Sequence, residues 1–209
     1  MPDWTLENNF NGYVCGIDEA GRGPWIGPVV AGAVIFLDRN ISPELLKGIN
    51  DSKKLSTKKR EYLYNLLLQE AEKGRICLGI GEASAAEIDT LNILQATFLA
   101  MSRAVENLSI KPTHALIDGN RLPANFPCPT SCHIGGDSLS YSIASASILA
   151  KVYRDRLLQK MALKYPGYGL EKNAGYGTKD HIEGLKKFGV TPEHRKSYKP
   201  IKEFLAQSV

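Results

Sequence analysis

Nowhere does this chain carry a run approaching the roughly 18 consecutive apolar residues of a membrane span, which excludes an ordinary transmembrane helix. Its start, Met1-Pro2-Asp3-Trp4, lacks the basic n-region and apolar h-region of a secretion signal, so a cytoplasmic protein with no membrane partner is expected. Cysteine is scarce, with 4 in 209 residues. Cys15 and Cys77 sit in apolar, strand-like runs, while Cys128 and Cys132 fall in a proline-rich stretch beside His133. No second close pair completes the four ligands of a structural zinc, so reduced and mostly buried thiols are expected. Charge of one sign is not in large excess either. A formal charge of +4 and a pI near 8.8 permit a polyanionic partner without requiring one. There is no internal repeat and no low-complexity tract, which argues against a solenoid or a disordered array.

What is present is a chain with 43% hydrophobic residues, enough for a substantial core in one domain with an appendage. Strand-like sequence over 13–17 and 28–37, joined by a short link, suggests an antiparallel pair. A polar loop over 49–56 leads to a helix over 56–72, whose start bears Lys53, Lys54, Lys58, Lys59 and Arg60. That cluster reads either as a solvated helix end or as a phosphate contact. A third strand covers 75–82, and Ser84-Ala85-Ala86-Glu87 has the spacing of a capping box. A longer helix follows over 91–108. A short strand over 113–117 then delivers Asp118-Gly119-Asn120 at its carboxyl end, where ligands sit in open α/β sheets. A fifth strand around 131–134 runs out into Gly135-Gly136-Asp137-Ser138, ahead of a helix over 139–165. Beyond Tyr165 the composition turns to Gly, Lys, Tyr and His, with helices expected over 178–188 and 200–207. The expected division is a catalytic core over 1–165 and a C-terminal helical extension over 166–209 that contributes to substrate binding.

The unusual stretch is Gly16-Ile17-Asp18-Glu19-Ala20-Gly21-Arg22-Gly23-Pro24. Two adjacent carboxylates follow a strand, yet neighbours in a regular strand point to opposite faces, so a shared task calls for a distortion that Gly21 and Gly23 can supply. Asp18, Glu19, Asp118 and Asp137 all come from strand ends on one edge of a single mixed sheet. Four convergent carboxylates repel unless divalent cations join them, and such ions suit phosphodiester hydrolysis without a histidine base. Each acid also has a plain structural explanation: Asp118 before Gly119 can make a turn, and Asp137 before Ser138 can cap the long helix.

The chain resembles the type 2 ribonucleases H, and within them bacterial ribonuclease HII. The resemblance is carried by residues 16–24, Asp51-Ser52-Lys53-Lys54-Leu55, Leu91-Asn92-Ile93-Leu94-Gln95-Ala96, Asp118-Gly119-Asn120, Gly136-Asp137, the stretch 146–155, Gly175-Tyr176-Gly177-Thr178 and His194-Arg195-Lys196-Ser197-Tyr198, in family order. It implies an α/β, ribonuclease H-like fold: a central five-stranded mixed sheet flanked by helices, plus the C-terminal extension. The implied activity is endonucleolytic hydrolysis of RNA in RNA/DNA hybrids, and incision 5′ of ribonucleotides embedded in duplex DNA, leaving 3′-hydroxyl and 5′-phosphate ends. Carried over by position, Asp18, Glu19, Asp118 and Asp137 are the metal-binding and catalytic carboxylates, served by Mg²⁺ or Mn²⁺, and Asp155 is a supporting acid. Gly21-Arg22-Gly23 matches the segment that reads the ribonucleotide's 2′-hydroxyl, the one ribose feature that separates RNA from DNA at a site. Tyr176 matches the tyrosine that packs on the next deoxyribose, although by itself a tyrosine in a glycine-rich turn reads as a loop anchor. Lys53, Ser147 and Lys151 are further candidate phosphate contacts, with helix packing or solvated charge the alternative for each. His181, His194 and Arg195 are expected to be structural or phosphate-contacting.

Two positions depart from the family pattern. Gly135 and Ala174 stand where lysines are common. Both changes remove positive charge near the implied site, which predicts weaker phosphate contact or an altered metal response with the chemistry retained. Two other classes compete with the enzyme reading. A dinucleotide-binding oxidoreductase fits poorly, because Gly21, Gly23 and Gly27 do not give G-x-G-x-x-G and Pro24 stands where its helix would begin. A non-catalytic nucleic-acid-binding module of the same fold is opposed by the intact acidic set. A monomer is expected.

Overall fold

The computed structural model describes residues 1–49 and 55–207; Lys53 and the Asp51–Lys54 part of the quoted motif therefore lie outside the described residues. The strands are β1 (Val14–Ala20), β2 (Val29–Phe36), β3 (Ile76–Ala83), β4 (His114–Asp118) and β5 (Thr130–His133). They form one mixed sheet in the order β3-β2-β1-β4-β5, antiparallel across β3-β2-β1 and parallel across β1-β4-β5. The helices are α1 (Pro43–Gly48), α2 (Thr57–Glu72), α3 (Ala85–Leu91), α4 (Ile93–Glu106), α5 (Tyr141–Lys164), α6 (Leu170–Asn173), α7 (Lys179–Phe188) and α8 (Lys199–Gln207).

Alternation along β1 and β2 divides the core. Cys15, Ile17, Ala31 and Ala33 pack with the α4 residues Ala96, Ala100 and Ala104 on one face of the sheet. On the other, Val34 packs with Ala144, Ala146 and Ile148 of α5 and with Leu63 and Leu67 of α2. α5 lies unusually close to the sheet: a Cβ on Gly32 would stand 2.6 Å from the Ala146 carbonyl oxygen, and one on Gly16 would overlap the Ser142–Ile143 backbone. The small-residue stripe of α5 and the glycines of β1 and β2 are two halves of one close approach, which seats α5 directly beneath Asp18.

The paired-strand plan and the main helices stand where the periodicity puts them, with three differences. β1 is longer than expected: its ladder with β2 continues through Asp18↔Gly32, Glu19↔Ala31 and Ala20↔Val30, so the anticipated distortion at the acid pair is absent. The capping-box helix and the longer one are separated at Asn92, whose φ of 69° ends α3 and whose side-chain oxygen accepts from the amides of Leu94 and Gln95 to cap α4. The long helix begins after Ser140, which accepts from the Ile143 amide; Asp137 sits earlier, in a single 3₁₀ turn over Gly136–Ser138, and is not its cap. The short helices α1 and α6 carry too few residues to show a period.

Residues beyond α5 fold around a small core of their own, Tyr168, Leu170, Leu185 and Ile201, which takes in Ile26 from the β1–β2 connection. His194 forms an isolated bridge with Ile26, the Trp25 amide donates to the Gly175 carbonyl, and the Arg195 amide donates to the Trp25 carbonyl. The extension thus grips the loop that follows the paired carboxylates.

Candidate active site

Because β1 stays regular through Ala20, Asp18 and Glu19 leave it on opposite faces. Asp18 is buried and points toward α5, where Ser147 hydrogen-bonds its carboxylate; the Glu19 amide also donates to Asp18 Oδ1 at 2.7 Å. Parallel pairing of β1 with β4 sets Ile17 beside Ile117, so the carboxyl end of β4 brings Asp118 next to Asp18. Asp118 Oδ1 accepts the Gly136 amide at 2.8 Å, and this bond anchors the 3₁₀ turn that carries Asp137. Carboxylate oxygens of Asp18, Asp118 and Asp137 consequently lie within 4.8 Å of one another.

Glu19 is outside that trio. It turns to the α4 side, 3.3 Å from the Arg22 guanidinium, and lines a cleft of about 370 Å³ together with Arg22, Thr97, Phe98 and Asp118. Asp118 therefore belongs to both groups, facing the buried trio and opening on the cleft that Glu19 borders. Sheet geometry separates the two neighbours in sequence, and a residue from another strand lies between them.

The trio is electrostatically uncomfortable without a cation. Burial first, then the charge of Glu19 and that of Asp118, push the Asp18 carboxyl well above its ordinary value, against the opposing hydrogen bonds from Ser147 and the Glu19 amide. Three carboxylates at this spacing, Asp18 and Asp137 buried and Asp118 partly so, offer the hard oxygen donors that suit a divalent cation.

Gly21-Arg22-Gly23 begins where β1 ends. Gly21 has φ of +97°, and a Cβ there would overlap the Arg154 guanidinium, so both the turn and its packing require glycine. A Cβ on Gly23 would meet Tyr176 Cε1 at 3.1 Å, which places the half-exposed Tyr176 ring directly against the loop. Two buried arginines hold this assembly from behind. Arg195 donates to the carbonyls of Gly21, Arg22 and Gly27 at 2.6, 2.9 and 3.0 Å. Arg154 donates to those of Pro28, Ala174 and Ile26 at 3.2, 3.2 and 3.3 Å. The Tyr198 hydroxyl also donates to the Arg22 carbonyl.

The other candidates spread along α5. Ser147 is buried with its hydroxyl toward Asp18. Lys151 and Asp155, at successive turns on the same side, form an ion pair at 2.6 Å. Sequence reasoning gave Arg154 no role, although the signal was there. It stands four residues after Ala150 and four before Leu158, on the buried stripe of α5, where an unpaired charge is not tolerated and a ring of carbonyl acceptors is expected. Arg195, read as structural or phosphate-contacting, is fully buried and turned inward to the loop.

A five-stranded mixed sheet with acids at the carboxyl ends of adjacent strands defines a nuclease of the ribonuclease H type. Comparison with known proteins bears this out. The ribonuclease HII family profile matches residues 15–201. Ribonuclease HII of Paramagnetospirillum magneticum is 51% identical over 205 residues, covering 98% of this chain and 99% of that protein. The Rhodospirillum rubrum enzyme is 52% identical, covering 100% and 94%. Among solved structures, ribonuclease H2 from Pyrococcus horikoshii superposes with a TM-score of 0.75 at 26% identity, covering 94% of this chain and 98% of that one. The chain belongs to the ribonuclease HII family. It is a type 2 ribonuclease H, an endoribonuclease that hydrolyses phosphodiester bonds in RNA/DNA hybrids.

Proposed function

We propose that the protein, in addition to cutting the RNA strand of hybrids, incises 5′ of single ribonucleotides embedded in duplex DNA, leaving 3′-hydroxyl and 5′-phosphate ends. The observation that carries this reading is the adjacency of three elements: the Asp18–Asp118–Asp137 trio, the Gly21–Gly23 loop, and the Tyr176 ring packed against that loop.

Asp18, Asp118 and Asp137, with Glu19 from the opposite face, would hold divalent metal, Mg²⁺ or Mn²⁺. When bound, such ions supply an activated water and neutralise charge on the leaving oxygen. The residues of the chain do the rest. Ser147 orients the Asp18 carboxylate, and the Asp118 bond to the Gly136 amide fixes Asp137 in place. Arg22 and the backbone of Gly21 and Gly23 read the ribose 2′-hydroxyl and its phosphate, while the Tyr176 ring takes the sugar that follows. A second 2′-hydroxyl on that sugar would crowd the ring, which favours an RNA-to-DNA junction. Lys151 and Lys53 are the further candidates for backbone phosphates, and Asp155 sets the position of Lys151 through their ion pair. The extension over 166–209 serves substrate binding by supplying Tyr176 and by bracing the reading loop. This activity suits a monomeric cytoplasmic enzyme that removes RNA primers and misincorporated ribonucleotides; among the described residues no helix is long and apolar enough to cross a membrane.

The test is a duplex containing one ribonucleotide, offered with Mg²⁺ or Mn²⁺ and resolved on a sequencing gel. A nick immediately 5′ of the ribonucleotide is expected. Cleavage of long hybrids with no nick here under either metal would refute the junction reading.

A further inference from the structure

The extension contains a buried histidine pair whose tautomers its surroundings fix. His194 Nδ1 lies 3.0 Å from the Thr191 backbone nitrogen, which can only donate, and 2.8 Å from the Thr191 hydroxyl, which can do either; Nδ1 therefore accepts, and neutral His194 carries its proton on Nε2. That Nε2 is 3.0 Å from His181 Nε2, which must then accept and leave the His181 proton on Nδ1. His181 Nδ1 in turn is 3.0 Å from the backbone carbonyl oxygen of Tyr176, which can only accept. The result is a one-way chain: Thr191 N–H to His194, His194 to His181, and His181 to Tyr176.

A further proton disturbs this order: on His194 Nδ1 it would confront the Thr191 amide, with only the Thr191 hydroxyl able to accept it, and on His181 Nε2 it would confront the His194 N–H. The rings are buried between Trp25 and Tyr168, with Trp25 5.5 Å from His181, and Tyr168 5.9 Å from His181 and 5.3 Å from His194. Beyond the Thr191 hydroxyl, the Tyr168 hydroxyl donates to the Gly189 carbonyl, and the Arg195 guanidinium faces the loop carbonyls and the Tyr198 hydroxyl. Consistently, burial lowers both histidines, His194 to about 4 with the His181 charge opposing it as well. The chain also has a mechanical meaning. His194 is bridged to Ile26 and immediately precedes Arg195, which holds Gly21 and Arg22, so the pair links the Tyr176 turn to the strap behind the reading loop.

We propose that His181 and His194 are positioning residues for sugar discrimination: the His181 Nδ1–H bond to the Tyr176 carbonyl fixes the Tyr176 ring against Gly23, and with it the space left for the sugar after the ribonucleotide. This rests on the role of Tyr176 given above, and two independent readouts separate them.

The first needs no substrate. Long-range ¹H–¹⁵N spectra of the labelled full-length protein at pH 7 should show His194 protonated on Nε2 and His181 on Nδ1, both neutral. A charged ring at pH 7, or the inverse tautomers, overturns the proposal. The second compares kcat/KM for two duplexes that differ only in whether the sugar following the scissile ribonucleotide is deoxyribose or ribose. His181→Asn can keep a donor near the Nδ1 position, whereas His181→Gln shifts its amide toward Nε2 and His181→Leu has none. Asn should hold the preference ratio within about twofold, and Gln and Leu should lower it roughly three- to tenfold, the effect of one lost hydrogen bond. Thermal melts establish that each variant is folded, and the Asn–Gln comparison stands if Leu is not. Folded Gln and Leu variants with the wild-type ratio overturn the positioning role. If Tyr176→Ala keeps the wild-type ratio, the role of Tyr176 itself fails and the discrimination proposal with it, while the spectra still report the hydrogen-bond chain.

Discussion

Arg195 donates a 2.6 Å hydrogen bond to the carbonyl of Gly21, although 174 residues separate them in the chain. With the bonds to Arg22 and Gly27, it makes the C-terminal extension the backing of a loop that belongs to the first strand. Lysine keeps the charge at this position but cannot present the guanidinium fork. Arg195→Lys should leave at least one buried carbonyl unpaired, costing about 2 kcal/mol and lowering Tm by roughly 5 °C. Thermal and urea unfolding measure this; an unchanged Tm would show that the loop is held by other contacts.

Burial first, then the charges of Glu19 and Asp118, disfavour the ionised form of Asp18. Its folded-state value lies above the ordinary 3.8, so the folded protein holds that proton more tightly than the unfolded chain. The resulting contribution to stability is complete below 3.8 and is lost as pH rises through the folded-state value. Asp18→Asn should therefore raise the Tm of the metal-free protein at neutral pH and flatten its pH dependence, while abolishing cleavage. Added Mg²⁺ should raise the Tm of the wild type and do so much less in the variant. Equal shifts in the two proteins would place the metal elsewhere.

At Gly21 two constraints coincide, a φ of +97° and the buried Arg154 guanidinium where a side chain would begin. Gly21→Ala should cost about 1–2 kcal/mol for the backbone alone, and should displace Arg154 from its carbonyls. Incision at a single ribonucleotide should fall at least about tenfold, one decade per 1.36 kcal/mol of lost transition-state stabilisation. Wild-type incision kinetics in a folded variant would show that the loop tolerates rearrangement.

Gly135 and Ala174, which replace lysines common in the family, are both in the left-handed region, with φ of 66° and 50°. Ala174 already bears a Cβ there, so Ala174→Lys adds charge without new backbone strain; Gly135→Lys should cost about 1 kcal/mol, although its Cβ would meet nothing closer than Ser138 Oγ at 3.7 Å, an ordinary contact. Each lysine that reaches a phosphate should tighten hybrid binding and steepen the salt dependence by roughly 0.7–0.9 in log–log slope. Unchanged hybrid binding and metal response in the double variant would end the idea that the missing charges matter.

Much of this was legible because it is written in local pattern. The strand alternation, the capping box at Ser84 and Glu87, and the acids at strand ends follow from neighbours in sequence, and the full set of matched motifs led to the family. The acid pair shows where local reasoning stops. Adjacency suggested that Asp18 and Glu19 act side by side through a distorted strand. The ladder with β2 instead runs unbroken past both and sends them to opposite faces.

Residue type and short-range spacing were enough for the five strands, the long helices and the class of chemistry, while the short helices α1 and α6 left no period to follow. Only the tertiary structure decided which carboxylates share a space, why Arg154 and Arg195 are buried, and that His181, His194 and Tyr176 form one directed chain. The burial of Arg154 and Arg195 and the meeting of Asp18 with Asp118 depend on strand order and on packing between segments about 100 residues or more apart, and the histidine chain on how the turns of the extension fold back on one another, neither of which a local period records.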